Sequence, residues 1–276
     1  MQDRARLCAI VAAPPMKLLR LLATVLALAA APVEGTLAAS GADVPNVAAA
    51  SDLQFALPEI ATAFTRDTRR EVKLTFGSSG NFRRQIAAGA PFQVFLSADE
   101  EYVRALTREE RTRDDGVIYG VGRIAVVAPK GSPLTPDGNL DGLRKALAAG
   151  RITRFAIANP EHAPYGRAAR EALMHAGLWD ALKNKLVLGE NAAQAAQFAL
   201  AATAQGGIIS YAQAQSPALT EKLTYAVLPQ QWHTPLRQRM VLMRDAGPTA
   251  VAFYEYLQQP RARGILTRYG FGVPVQ

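Results

Sequence analysis

The sequence predicts an α/β fold. Three observations carry that expectation. From Pro45 onward, short apolar runs alternate with stretches of helical periodicity. Hydrophobic residues make up 49% of the chain against 20% charged, and mean hydropathy is near zero. Such a composition builds a globular core and suits neither a disordered chain nor a membrane-packed one. At 276 residues the chain is long enough for two lobes, each with its own core.

Each element follows from local pattern. Val47 to Ala50 is a short apolar run and reads as a strand; after Ser51 and Asp52, residues Phe55, Ile60 and Phe64 line one helical face. Proline is tolerated in a first helical turn but breaks an interior, so Pro58 puts the regular start of that helix close to itself. Glu71 to Phe76 alternates as a strand, Phe82 to Ala88 makes a short helix and Gln93 to Ser97 a buried strand. The order is βαβαβ, the signature of largely parallel sheets.

A second series begins near Gly122. Arg123 to Ala128 is a strongly apolar strand, stopped by Pro129-Lys130-Gly131-Ser132-Pro133. Leu140 to Leu147 is helical, Phe155 to Ala158 a strand and Tyr165 to Ala176 a helix. Leu186 to Leu188, Ala192 to Ala204 and Gly207 to Ser210 repeat strand, helix, strand. Leu223 to Leu228 and Met240 to Met243 add strands, and Val251 to Leu257 and Ala262 to Tyr269 close the chain with helices.

The first 40 residues differ in kind. Met16-Lys17-Leu18-Leu19-Arg20 opens an apolar stretch from Leu21 to Ala31, followed by the small residues Thr36-Leu37-Ala38 and Ser40-Gly41-Ala42. A basic start, a short apolar segment and a small-x-Ala site predict a signal peptide over residues 1–38, cleaved between 38 and 42 and too short to span a membrane. The one cysteine, Cys8, lies in or before this leader, so the mature chain is expected to hold neither disulfide nor thiol chemistry, which suits a bacterial periplasm. The full chain carries +8. Removing Arg4, Arg6, Lys17 and Arg20 together with Asp3 and Glu34 takes away two net positive charges and leaves a mildly basic protein. Aromatic residues are 7% and no basic run is interleaved with them, which argues against a nucleic-acid partner.

Three strand ends run into helix starts through small or hydroxyl-bearing residues: Ala49-Ala50-Ser51-Asp52, Phe76-Gly77-Ser78-Ser79-Gly80-Asn81, and Ala158-Asn159-Pro160 leading to Pro164-Tyr165-Gly166. In an open α/β sheet, ligands bind outside the carboxyl ends of the strands. Free backbone N–H groups at a helix start, with the dipole behind them, favour an anion. Gly77 and Gly80 let the backbone approach closely and bracket two serines that add O–H donors. The competing reading is that Ser51 and Ser79 only cap their helices.

Enzyme readings are thinner. The three histidines, His162, His175 and His233, lack the spacing of a helical metal pair. Gly77-Ser78-Ser79-Gly80 is not a G-x-S-x-G elbow, because Asn81 stands where the final glycine belongs. Gly120-Val121-Gly122-Arg123-Ile124-Ala125 matches a dinucleotide fingerprint by letter, but it precedes a strand and opens no helix.

At these residues the chain resembles the periplasmic molybdate-binding proteins of ABC importers, the ModA family. The resemblance runs through nearly the whole mature chain. It rests on Ala48-Ala49-Ala50-Ser51, on Phe76-Gly77-Ser78-Ser79-Gly80 with Arg84-Gln85-Ile86-Ala87-Ala88-Gly89-Ala90-Pro91, and on Val94-Phe95-Leu96-Ser97-Ala98-Asp99. Val126-Val127-Ala128-Pro129-Lys130, Asn159-Pro160-Glu161-His162-Ala163-Pro164 and Arg268-Tyr269-Gly270-Phe271 continue it in the same order.

The resemblance implies a two-lobed periplasmic binding protein fold, type II-like, with the ligand cleft between the lobes. It implies one lobe from residues 43–121 plus 236–276 and another from 122–235, a monomer, no cofactor and no catalysis. Its partners would be the transmembrane subunits of an ABC permease with their cytoplasmic ATPase. Carried over by position, Ser51, Asp52 through its N–H, and Ser79 would bind molybdate or tungstate from the first lobe, and Tyr165 and the backbone amide of Ala192 from the second. Ser78, Ser210 and Tyr211 are secondary candidates. The family often has alanine where Tyr165 stands and a tyrosine where Ser210 stands, one residue before Tyr211. One subgroup places its tyrosine as Tyr165 does, so Tyr165 is expected to supply the hydroxyl.

Molybdate near neutral pH is a fully deprotonated tetrahedral dianion, which accepts hydrogen bonds and offers none. Serine, tyrosine and backbone N–H donors suit it, each such contact contributing about 1.5–3 kcal/mol, while the Asp52 carboxylate would have to turn away. Two alternatives remain at this level: a receptor for another tetrahedral oxyanion such as sulfate, and a secreted α/β hydrolase.

Overall fold

The computed structural model describes residues 43–201 and 204–272. The predicted leader, its cleavage site and Cys8 lie outside them. Among the described residues no helix is long and apolar enough to cross a membrane.

The first half begins with β1 (Asn46–Ala50), whose small side chains are buried between the helices covering its sheet. A 3-10 turn at Ser51–Leu53 leads into α1 (Ala56–Thr68), with Pro58 tolerated in its first turn. There follow β2 (Lys73–Gly77), α2 (Ser79–Ala87), β3 (Val94–Ser97), α3 (Glu100–Arg108) and β4 (Val117–Gly122). The second half runs through β5 (Ile124–Pro129), α4 (Asp141–Ala148), β6 (Phe155–Ala158), α5 (Pro164–His175), α6 (Trp179–Leu182) and β7 (Leu186–Gly189). It continues with α7 (Ala192–Leu200), β8 (Gly207–Ser210), α8 (Tyr211–Ala214), α9 (Pro217–Thr220) and β9 (Leu223–Val227). The chain then returns through β10 (Leu236–Leu242) to α10 (Pro248–Tyr256) and α11 (Pro260–Arg268).

Two five-stranded sheets result, in the orders β2-β1-β3-β10-β4 and β7-β6-β8-β5-β9. The fold thus has two lobes. Only Arg123 separates β4 of the first sheet from β5 of the second, and residues 228–235 carry the chain back from β9 to β10. One apolar core packs Phe64 edge-on against Phe253 and Tyr256, with ring centroids 5.1 and 5.5 Å apart. Another gathers Ile124, Leu143, Phe155, Ile157 and Leu173.

The expectation of largely parallel sheets needs correction. In each sheet two pairings are parallel and two antiparallel: β10 runs against β3 and β4, and β5 runs against β8 and β9. The reversed strands are the ones on which the chain crosses between sheets, so it enters each from the opposite end. Sequence pattern also missed α3 and β4. The α3 helix buries only Val103 and Leu106, and its start is marked by Asp99, whose carboxylate accepts the Glu101 N–H at 2.9 Å. β4 is interrupted by Gly120, which masks its strand propensity. The strand expected from Met240 begins at Leu236, and the helix expected to reach Ala204 ends at Leu200.

Candidate functional site

The three strand-to-helix junctions read from the sequence converge, and two more, after β3 and at the start of α7, join them. A small cavity is lined by Ala50, Ser51 and Asp52 after β1, by Gly77, Ser78 and Ser79 after β2, and by Ala98 after β3. From the other sheet come Ala163, Pro164 and Tyr165 at the start of α5, and Asn191 and Ala192 at the start of α7. Its volume is about 10 Å³, room for the centre of one water-sized particle. Among the described residues that line it there is no lysine or arginine.

Capping does not account for the two serines. The turn after β1 and helix α2 have no side-chain cap, and Ser79 is already inside α2. The Ser79 hydroxyl oxygen instead accepts the Ala98 N–H at 2.9 Å, which leaves its proton free to donate. The Ser51 hydroxyl oxygen accepts the Ala193 N–H of α7 at 3.2 Å. Asn191 caps α7 by accepting the Gln194 N–H at 3.0 Å, and its neighbour Ala192 stands at the first position of that helix.

Contacts across the lobes hold the junctions together. The Ser78 hydroxyl donates to the His162 carbonyl at 2.7 Å and lies 3.1 Å from Nδ1 of the same ring. Gly80 N–H reaches that carbonyl at 3.1 Å. Arg167 of α5 pairs with Asp99 and bonds the Tyr102 hydroxyl at 2.8 Å, and Gln213 donates to the Ser51 carbonyl at 3.1 Å.

The Asp52 carboxyl is the one buried acid here. Its Oδ2 accepts from the Tyr165 hydroxyl and from Gln238 Nε2, both at 2.8 Å, and Gln238 also donates to the Tyr165 oxygen at 2.9 Å. Burial pushes the Asp52 pKa up, against the lowering by these hydrogen bonds. Burial, and then the adjacent Asp52 charge, push Tyr165 well up, so its hydroxyl keeps its proton.

These positions amend the sequence-based candidates. Ser51, Asp52, Ser78, Ser79, Tyr165 and Ala192 do line one cavity. The Tyr165 hydroxyl, however, gives its single proton to Asp52 because a buried carboxylate is the stronger acceptor at hand, and Ser78 spends its own on His162. Ser210 is a buried helix cap, accepting the Gln213 N–H at 3.3 Å. Tyr211 is not among the lining residues; its ring lies 5.9 Å from that of Tyr225 and against Gly270. Gln238 escaped the sequence reading, although Leu236, Gln238 and Met240 alternate on the buried face of β10, where a polar side chain stands out. Among the described residues no group of histidine, cysteine or acidic side chains is arranged to hold a metal ion.

Comparison with known proteins matches residues 45–272 to the family described as bacterial extracellular solute-binding protein. The chain is 34% identical to the molybdate-binding protein ModA of Azotobacter vinelandii over 239 residues, covering 86% of this chain and 92% of that one. It is 32% identical to the molybdate-binding protein ModA of Rhodobacter capsulatus, covering 85% and 89%. Among solved structures it is similar to the periplasmic molybdate-binding protein of Azotobacter vinelandii, with a TM-score of 0.73 at 28% identity, covering 84% of this chain and all of that one.

Proposed function

The chain belongs to the bacterial extracellular solute-binding proteins, and from that membership we propose that it binds molybdate, and tungstate with it, in the periplasm and delivers it to an ABC-type permease. One observation carries the reading: helix starts and hydroxyls from both lobes meet at a cavity without lysine or arginine among its described lining residues. Such a wall offers directed donors and helix dipoles to a dianion that brings no proton of its own. The protein is a receptor and not an enzyme. Neither serine of the glycine-rich loop is set as a hydrolase nucleophile: Ser79 accepts from a backbone N–H, and Ser78, though 3.1 Å from His162 Nδ1, gives its proton to the His162 carbonyl at 2.7 Å.

Ligand donors come from Ser51, the Asp52 N–H, Ser79 and the Ala192 N–H, and from Tyr165 once its proton is released from Asp52. Lobe one comprises residues 43–121 and 236–276, lobe two residues 122–235, and the hinge lies near 119–122 and 230–235. Selectivity follows size, because molybdate and tungstate are larger than sulfate at the same charge. A second reading rests on Asp52: a buried carboxylate at the cavity wall is the acceptor that the proton of hydrogen phosphate requires. Calorimetric titration with molybdate, tungstate, sulfate and phosphate decides between them. Tight binding of the first two with weak or absent heat from sulfate and phosphate is expected; preference for phosphate overturns the molybdate reading.

A further inference from the structure

The carboxyl of Asp52 is an odd neighbour for a dianion. It is 1% exposed, it lines the cavity, and among the described residues no cation pairs with it. Among the described residues its only side-chain donors are the Tyr165 hydroxyl and Gln238 Nε2, both on Oδ2; its own N–H and that of Leu53 also favour the charged form, and Gln238 Oε1 meets no partner. A hydroxyl has one proton. As long as Asp52 is ionised, Tyr165 gives that proton to Oδ2 and presents only lone pairs to anything else.

Resting on the oxyanion reading above, we propose that Asp52 is the positioning residue of the site: it takes up one proton from solvent as the dianion enters, and this frees the Tyr165 hydroxyl to donate to the anion. The proton joins Oδ2, which then donates to the Tyr165 oxygen; the tyrosine proton rotates to an oxygen of the anion; Gln238 keeps both of its bonds. No heavy-atom bond forms or breaks, and buffer supplies the proton. The arrangement removes a negative charge from the cavity wall and adds a donor in one step. Burial already favours the neutral acid, and a dianion alongside favours it further.

The surroundings leave Asp52 as the group that titrates. Tyr119 of β4 and Tyr165 of α5 face it, both with pKa values pushed well above the usual tyrosine range by burial and then by Asp52 itself. Of the elements packed around its turn, α7 carries no ionisable side chain, α8 carries only Tyr211, and β2 carries only Lys73 at its exposed start. On β10 and the first turn of α5 the charged groups are engaged elsewhere, Arg237 and Arg239 with Glu100 and Arg167 with Asp99. His162, which precedes the lining residues Ala163 to Tyr165, is bonded to Ser78 and lies 3.4 Å from Glu190.

The test is calorimetry of the purified protein with sodium molybdate between about pH 5.5 and 9, in two buffers of different ionisation enthalpy. Wild type, Asp52→Asn and His162→Gln are compared. Wild type and His162→Gln are expected to absorb about one proton per anion and to lose affinity about tenfold per pH unit once Asp52 ionises in the free protein. Asp52→Asn, which has neither the charge nor the proton, should absorb none and bind with a flat profile. Proton-free binding by the wild type, or a slope that survives in Asp52→Asn, overturns the proposal. An absence of binding to molybdate, tungstate and sulfate by all three proteins is a different failure, that of the oxyanion reading, and the inference falls with it.

Discussion

Gly80 donates its backbone N–H to the carbonyl oxygen of His162 at 3.1 Å, tying the start of α2 in one lobe to the loop before α5 in the other. The contact is possible because residue 80 has no side chain. A Cβ there would stand 2.5 Å from the His162 oxygen, a backbone atom that cannot swing aside.

Gly80→Ala therefore separates closure from folding. Alanine is the better helix former. Gly80 is only the second residue of α2 and the new Cβ would stand 3.0 Å from the Tyr102 hydroxyl, but that hydroxyl ends a side chain that can swing away, so the lobe that contains α2 should keep its stability. The lobes, though, can no longer meet. We expect an unchanged or higher Tm without ligand, molybdate affinity down at least tenfold, and a scattering radius in saturating molybdate larger than that of the wild type. Equal affinity would show that this contact is not needed for binding.

Ser79→Ala tests the donor set. The substitution removes a hydroxyl that accepts the buried Ala98 N–H, and stranding that group costs about 1–3 kcal/mol of stability. It also removes a proton that the hydroxyl has available for the anion, so affinity should fall roughly tenfold to a hundredfold. Denaturant unfolding and calorimetry read the two separately. A loss of stability with unchanged affinity would assign Ser79 to bracing β3 and nothing more.

The junctions were legible in the sequence because they are local. Ser51, Ser79 and Tyr165 each follow a strand and open a helical segment, and small residues around them signal close approach. Ala192 came from family resemblance, since an alanine that acts through its N–H leaves no chemical mark. What pattern could not convey was who bonds to whom across 113 residues from Asp52 to Tyr165, or 186 from Asp52 to Gln238. The same holds for the sheets: their strands were mostly recognised, but strand direction depends on where the chain crosses between lobes, and no run of apolar residues records that.

The buried Asp52 also sets a pH dependence of stability. Its folded pKa lies above the ordinary 3.8. Between those two values the folded chain holds more protons than the unfolded one, so stability falls as pH rises through that window. Asp52→Asn lacks the effect. Unfolding free energies measured from about pH 4 to 7 should show the variant gaining on the wild type as pH rises. Parallel curves would mean that Asp52 is solvated in the folded protein, contrary to its burial.

Tyr165→Phe is the sharpest test of the donor assignment. The change removes one hydroxyl and almost no volume. Gly122, beside that hydroxyl, has no side chain to move, so the cavity keeps its shape. Asp52 then retains Gln238 as its side-chain donor and shifts further toward the neutral acid, because one bond that favoured its charged form is gone. If the tyrosine proton serves the anion in the loaded protein, affinity drops about tenfold to a hundredfold, the worth of one hydrogen bond to a charged group. Tyr211→Phe should cost far less, since that ring packs on Tyr225 away from the cavity lining. A large loss for Tyr211→Phe with none for Tyr165→Phe would move the hydroxyl to the end of β8 and leave Tyr165 as a brace for Asp52.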